Sequence, residues 1–328
     1  MESQPADGGT PNGATDIFIV GPVRSGTSWL QTMLAEHPDI ASPPETHFFT
    51  NYLAPLVQSW ENDRARVEAA IGEQGAHVGH GLATVVTDAE FLALLRSFYG
   101  SVRELVLSAK PGARRFLEKT PDHALCLDAI QQIVPDAKIL YLVRDPRDTV
   151  RSLFEAGGES WGDWAPTSLQ DATRLWLRSV RPWFPRKRDP RILLVRYEDL
   201  TSDAAELERI ASFLGLEPTA DWMQTRVDAP PQARPSTVSR GAAAEGGLNP
   251  YDASGFSYHD RVRRRQLSRY ETAYITTRCA AEMKVLGYEV DARSVPARLR
   301  AEDVVQMLRA KARARLTRRP PVRGGGAA

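Results

Sequence analysis

Four short apolar runs punctuate the first two thirds of the chain: IFIV at 17–20, FLEK at 116–119, KILYLV at 138–143 and RILLVRY at 191–197. They are bounded by polar or Pro/Gly residues and lack the alternation of a strand with one wet face, so they predict strands buried on both sides. Between and around them, apolar positions return every three or four residues, predicting helices over 27–36, 51–71, 87–109, 122–132, 147–156, 169–184 and 203–213. Strands that alternate with helices pair in parallel through right-handed crossovers. The predicted fold class is α/β: a P-loop-like, doubly wound parallel sheet flanked by helices, in a single domain over 15–290 with a helical insertion at 51–109.

The flanking segments have a different texture. Residues 1–14 are polar and rich in Gly and Pro, which predicts a disordered arm. Residues 228–257 are crowded with Pro, Gly, Ser and Ala and are too long for an ordinary connector, a length that predicts a lid or acceptor loop. A late helix is predicted from about 260 to 286, with Leu267, Tyr270, Tyr274 and Cys279 available to pack inward, and 291–328 reads as a basic helix with a flexible tail. No internal repeat is evident.

Composition changes this picture little. A chain of 328 residues with 42% hydrophobic and 25% charged residues has ample material for one large core. A net charge of +1 gives no global case for nucleic-acid binding, so any anion site must arise from local clustering. Only six of the 42 basic residues are lysine, which makes a lysine inside a motif conspicuous. Two cysteines, Cys126 and Cys279, are too few for a disulfide framework or a zinc site. The amino-terminal segment resembles neither a signal peptide nor a membrane anchor, and no apolar run reaches transmembrane length, so a cytoplasmic location is expected. The run of Arg309, Lys311, Arg313, Arg315, Arg318 and Arg319 offers weak contact with a membrane surface or polyanion, or a solvated face.

The chemistry concentrates where the first strand breaks into a helix. In DIFIVGPVRSGTSWLQTML (16–34) a Gly-rich turn presents backbone N–H groups and the positive end of a helix dipole, a cradle for an anion. Gly21 to Ser28 reads G-x-x-x-x-G-T-S, so Thr27 occupies the place of the lysine that a nucleotide triphosphatase needs, and the nearby cation is Arg24.

RSGTSWL at 24–30 resembles the K-S-G-T-T-W-L motif of sulfotransferases that use 3′-phosphoadenosine 5′-phosphosulfate (PAPS), and the tyrosylprotein branch of that family carries arginine at the first position. Arg144 and Ser152 in YLVRDPRDTVRSLF match the spacing and context of the family's 3′-phosphate signature. The resemblance covers most of 15–215. It implies that Arg24 reaches the transferring sulfuryl group, that Ser25, Gly26, Thr27 and Ser28 bind the 5′ end, and that Arg144 and Ser152 bind the 3′ phosphate. Trp29 matches the tryptophan that stacks on adenine, or else anchors its helix in the core. RYEDL at 196–200 resembles a Y-E-D-L that follows a core strand in the family, so Tyr197 lies near the nucleotide or in the core. Arg240 corresponds in position to a basic loop that closes on the 3′ phosphate.

Sulfuryl transfer also needs a base for the acceptor. Glu45, in PPETHFF, resembles the catalytic glutamate of the heparan sulfate and tyrosylprotein branches. Lys119, in EKTPDH, resembles the E-K-T-P lysine that lines the heparan sulfate 3-O-sulfotransferase site, unless it pairs with Glu118 or Asp122. His123 is a lesser candidate base or a helix-surface residue, since the cytosolic branch places its histidine two residues after the lysine rather than four. The implied activity is metal-independent transfer from PAPS to a hydroxyl or amine of a small metabolite, glycoside or lipid-like acceptor. The competing readings are a kinase-like P-loop protein and a non-catalytic nucleotide-binding scaffold.

Overall fold

A computed structural model describes residues 15–74, 80–158, 162–217 and 266–290. The chain divides into two compact units, Met1–Arg264 and Arg265–Ala328. In the first unit, strands β1 (Ile17–Val20), β2 (Ile40–Ala41), β3 (Arg115–Lys119), β4 (Lys138–Val143) and β5 (Ile192–Arg196) form one sheet in the order β2-β3-β1-β4-β5. Every pairing is parallel. The central strand β1 is wholly buried, which is why its sequence is uninterruptedly apolar: both faces meet other elements and neither meets water.

The helices are α1 (Thr27–Ala35), α2 (Ala54–Gln74), α3 (Asp88–Leu107), α4 (Leu127–Ile133), α5 (Pro146–Gly157), α6 (Leu169–Val180), α7 (Tyr197–Ser202) and α8 (Ala204–Leu214). Most lie where the apolar periodicity predicts, with starts set by side-chain caps: Thr87 forms a capping box with Glu90 at α3, and Asp145, Ser168 and Asp203 cap α5, α6 and α8. Two differences have physical causes. The segment predicted as one helix at 122–132 is a tight turn, Pro121–Leu125, followed by α4, because Pro121 starts a 3₁₀ turn and Cys126 has left helical geometry. Strand β2, only two residues long, falls below the length that hydrophobic patterning detects.

The second unit contributes α9 (Arg269–Val285), opened by a capping box between Ser268 and Glu271. Tyr274 and Cys279 are buried as expected; Tyr270, in the exposed first turn, is not. Among the described residues no helix is long and apolar enough to cross a membrane. The arm at 1–14, the loop at 228–257 and the basic tail lie outside the described residues.

On one side of the sheet a core of Ile17, Ile19, Leu30, Leu34, Leu140, Leu142 and Val195 locks α1 and α8 against β1, β4 and β5. At the start of β1, Asp16 is buried and accepts hydrogen bonds from Arg103 Nε (2.8 Å), Tyr99 Oη (2.8 Å) and Phe116 N (3.2 Å), which joins α3 to β1 and β3. Burial raises the Asp16 pKa, and the Arg103 charge opposes that rise.

At the other end of β1 the chain turns so tightly that a Cβ on Gly21 would stand 2.0 Å from the Leu142 carbonyl oxygen, at a φ of +138°. Gly21→Ala should therefore destabilise the fold by about 3 kcal/mol or more. A urea midpoint within experimental error of the wild type would contradict this.

Candidate active site

The parallel sheet delivers the C-terminal ends of β1, β3, β4 and β5 to one edge, the place where open α/β sheets bind ligands. After β1, the turn at 21–26 leads into α1. Arg24 adopts a left-handed φ of +67° and Gly26 one of +93°. No side chain caps the first turn of α1, so its N–H groups face outward with the dipole behind them. The other end of α1 is closed by a cation: Lys110 Nζ donates to the carbonyls of Ala35, His37 and Ile40 at 2.8, 2.9 and 2.7 Å. Ser25 is wholly buried with its Oγ unpartnered, and Thr27, in the lysine position of a triphosphatase loop, is also buried. A Cβ on Gly26 would meet the Tyr197 ring at 2.5 Å, so only glycine lets the loop pass this ring.

Strand register explains the next contact. Val143 pairs with Arg196, so the residues that follow, Arg144 and Tyr197, emerge side by side. The Arg144 guanidinium lies over the Tyr197 ring at 4.4 Å, and Arg144 Nη1 donates to the Arg24 carbonyl at 3.4 Å. Trp176 Nε1 donates to the Arg144 carbonyl at 3.0 Å and fixes the start of the turn. The neighbouring acids Asp145 and Asp148 pair with Arg147 and Arg151. On α5, Ser152 Oγ accepts from Arg24 Nε at 3.1 Å, which brings the two predicted phosphate signatures into direct contact. Trp29 is half-buried: it packs against the core and meets Tyr197 edge-on at 6.4 Å.

Beside the loop, β3 ends in Lys119, whose side chain is fully buried. Its Nζ donates to Ser28 Oγ at 3.1 Å and to Glu45 Oε1 in a short ion pair. The ion pair of Lys119 is thus with Glu45. Burial lowers its pKa, and the charge of Glu45 works against that fall. Glu45 remains a quarter exposed, and His47 Nε2 stands 3.7 Å from its second oxygen. Sequence reasoning passed over His47, although its place in ETHFF signals the proximity. Arg240 lies outside the described residues.

His123 is not on a helix surface. It is fully buried, and its Nε2 accepts from Phe49 N at 3.1 Å, so a protein N–H occupies the nitrogen that a base would use. The cause is local: the 3₁₀ turn after Pro121 directs residue 123 inward. Burial drives its pKa down to about 3. The neighbouring carboxyl of Glu118, 3.8 Å from His123 Nδ1, is pushed by burial up to about 7.

A family model for the sulfotransferase family matches residues 16–221. The chain belongs to that family. It is 27% identical over 186 residues to protein-tyrosine sulfotransferase 1 of Danio rerio, covering 56% of this chain and 48% of the relative. With the protein of the same name from Homo sapiens it shares 29% over 164 residues, 50% of this chain and 40% of that one. The chain thus matches about half the length of these curated relatives or less. The sulfotransferase domain of the Synechococcus PCC 7002 olefin synthase superposes with a TM-score of 0.49 at 19% identity, covering 86% of this chain and 99% of that one. Of the residues the motifs single out, the loop at 24–28, Lys119 and Glu45 meet in one cluster, while Arg144, Ser152 and Tyr197 flank it.

The buried pair has opposite effects on stability. His123, held below its unfolded pKa, contributes stability above about pH 6.5 that is lost as pH falls toward 3; Glu118, held above its own, contributes stability below about pH 4.5 that is lost as pH rises toward 7. Between pH 7 and pH 5 each effect changes by about 2 kcal/mol in opposite directions, and they nearly cancel. Replacing His123→Asn should remove one arm, so that the variant gains stability relative to the wild type as pH falls from 7 to 5. Parallel urea-midpoint curves over this range would refute the assignment.

Proposed function

We propose that this chain transfers a sulfuryl group from PAPS to a hydroxyl or amine of a small-molecule acceptor, with Glu45 as general base. The observation that carries this reading is the buried ammonium of Lys119, which touches both the anion loop, at Ser28, and the carboxylate of Glu45. A cation thus sits between an anion cradle and a partly exposed carboxylate, an arrangement suited to charge that moves between them.

The reaction is an in-line displacement. The acceptor oxygen or nitrogen attacks sulfur, its proton passes to Glu45, and the bond from sulfur to the 5′ phosphate breaks with its electron pair leaving on the phosphate. The N–H groups at the start of α1 and the Arg24 side chain stabilise the leaving phosphate, and Lys119 stabilises the sulfuryl oxygens. A negative sulfuryl group competes for Lys119, and this frees a Glu45 oxygen for the acceptor's proton. Arg144 supplies the fork for the 3′ phosphate, and Ser152, which accepts from Arg24, still has its hydroxyl hydrogen to donate. The rings of Trp29 and Tyr197 line the adenine side. By analogy with phosphoryl transfer, catalysis is then chiefly positioning and electrostatics. The names of the curated relatives add a tyrosine phenol to the acceptors worth testing.

Radiolabelled PAPS incubated with a cell extract, and separately with hydroxylated, amine and tyrosine-peptide acceptors, should yield labelled product. Nucleotide binding without product in any mixture would favour a scaffold. Glu45→Gln should lower kcat by roughly 100-fold or more while leaving the affinity for the desulfated nucleotide intact, and near wild-type turnover would remove Glu45 from the role of base. Arg144→Ala should weaken that nucleotide by about 2 kcal/mol in calorimetry, and unchanged affinity would dismiss the 3′-phosphate assignment.

A further inference from the structure

The turn that carries Glu45 is tied to β3 at more than the Lys119 ion pair. His47, at a left-handed φ of +50°, donates its N–H to Thr120 Oγ1 at 3.3 Å, and the same hydroxyl donates to Glu118 Oε1 at 2.6 Å. Phe48 N donates to Thr46 Oγ1 at 3.1 Å, and Phe49 N to His123 Nε2. Glu118 and Thr120 are buried.

We infer that Glu118 is a positioning residue for the base: through the Thr120 hydroxyl its carboxylate holds the strained Thr46–His47 turn, and so fixes where Glu45 points. This rests on the reading of Glu45 as base. A charged acceptor binds the Thr120 hydroxyl more strongly than a neutral one, so the turn is held best when Glu118 is ionised. Burial is the largest influence on that ionisation and places its midpoint at about pH 7, with hydrogen bonds from Thr120 and Thr46 and the Lys119 charge favouring the anion. The titratable groups facing the carboxyl are His123 from the 3₁₀ turn, Lys119 from its own strand and Tyr99 from α3. His47 stands on the turn itself. Glu118 therefore gives turnover an acid limb near neutrality.

The test compares wild type, E118Q, T120V and T120S in kcat against pH, in affinity for the desulfated nucleotide, and in the pH titration of the His47 amide by NMR. Glutamine keeps an acceptor for Thr120 but cannot ionise, so E118Q should lose the limb near pH 7. T120V should lower kcat roughly 10- to 100-fold, the scale set by small misplacement of a reacting group, with nucleotide affinity unchanged, and T120S should restore it. In wild type the His47 amide should titrate with a component that E118Q removes and T120V diminishes. An E118Q profile that matches wild type, or full turnover in T120V, would overturn the inference. If Glu45→Gln is inactive while these variants behave as wild type, only the positioning role falls; if Glu45→Gln is active, the base reading falls and takes this inference with it. Should T120V fail to fold, the E118Q profile and amide titration decide alone.

Discussion

A lysine ammonium with no exposed surface must be paired, because an isolated buried charge costs several kcal/mol. Lys119 meets that demand with Ser28 and Glu45, and this one requirement organises the site. It brings together the end of β3, the start of α1 and the turn at 45–47, which are remote in sequence. Without the pairing, the Glu45 carboxylate would lose its direct link, through the Lys119 ammonium, to the anion cradle.

The cradle depends on a second constraint, the asymmetry of α1. Its C-terminal carbonyls are closed by Lys110, whereas its N-terminal N–H groups carry no side-chain cap. Left-handed backbone at Arg24 and Gly26 holds this end open, and a non-glycine residue such as Arg24 adopts that conformation at a cost of roughly 1 kcal/mol or more. Strain stored beside an unsatisfied helix end fits a loop that an anion completes.

Much of the fold was legible because parallel strands buried on both faces leave continuous apolar runs. IFIV and KILYLV coincide with β1 and β4 residue for residue. The 24–30 motif and Lys119 were legible as chemistry because a Gly-rich turn and a rare lysine stand out against an arginine background. His123 was misplaced because four residues' separation from Lys119 says nothing of direction, and Pro121 turns the chain inward between them. The support of the Glu45 turn by Glu118 and Thr120 was invisible, since it depends on hydrogen bonds across 73 residues of chain.

Sequence alone determined the alternation of strand and helix, the anion loop with arginine in place of the triphosphatase lysine, and the residue types available for acid–base chemistry. These follow from local rules: side-chain periodicity, glycine's backbone freedom and the charge of each group. Only the tertiary structure decided that Lys119 pairs with Glu45, that Arg24 reaches Ser152, and that Tyr197 lies against both Gly26 and Arg144. Each of those contacts is set by strand order and register, which sum over the whole sheet and are written in no single segment.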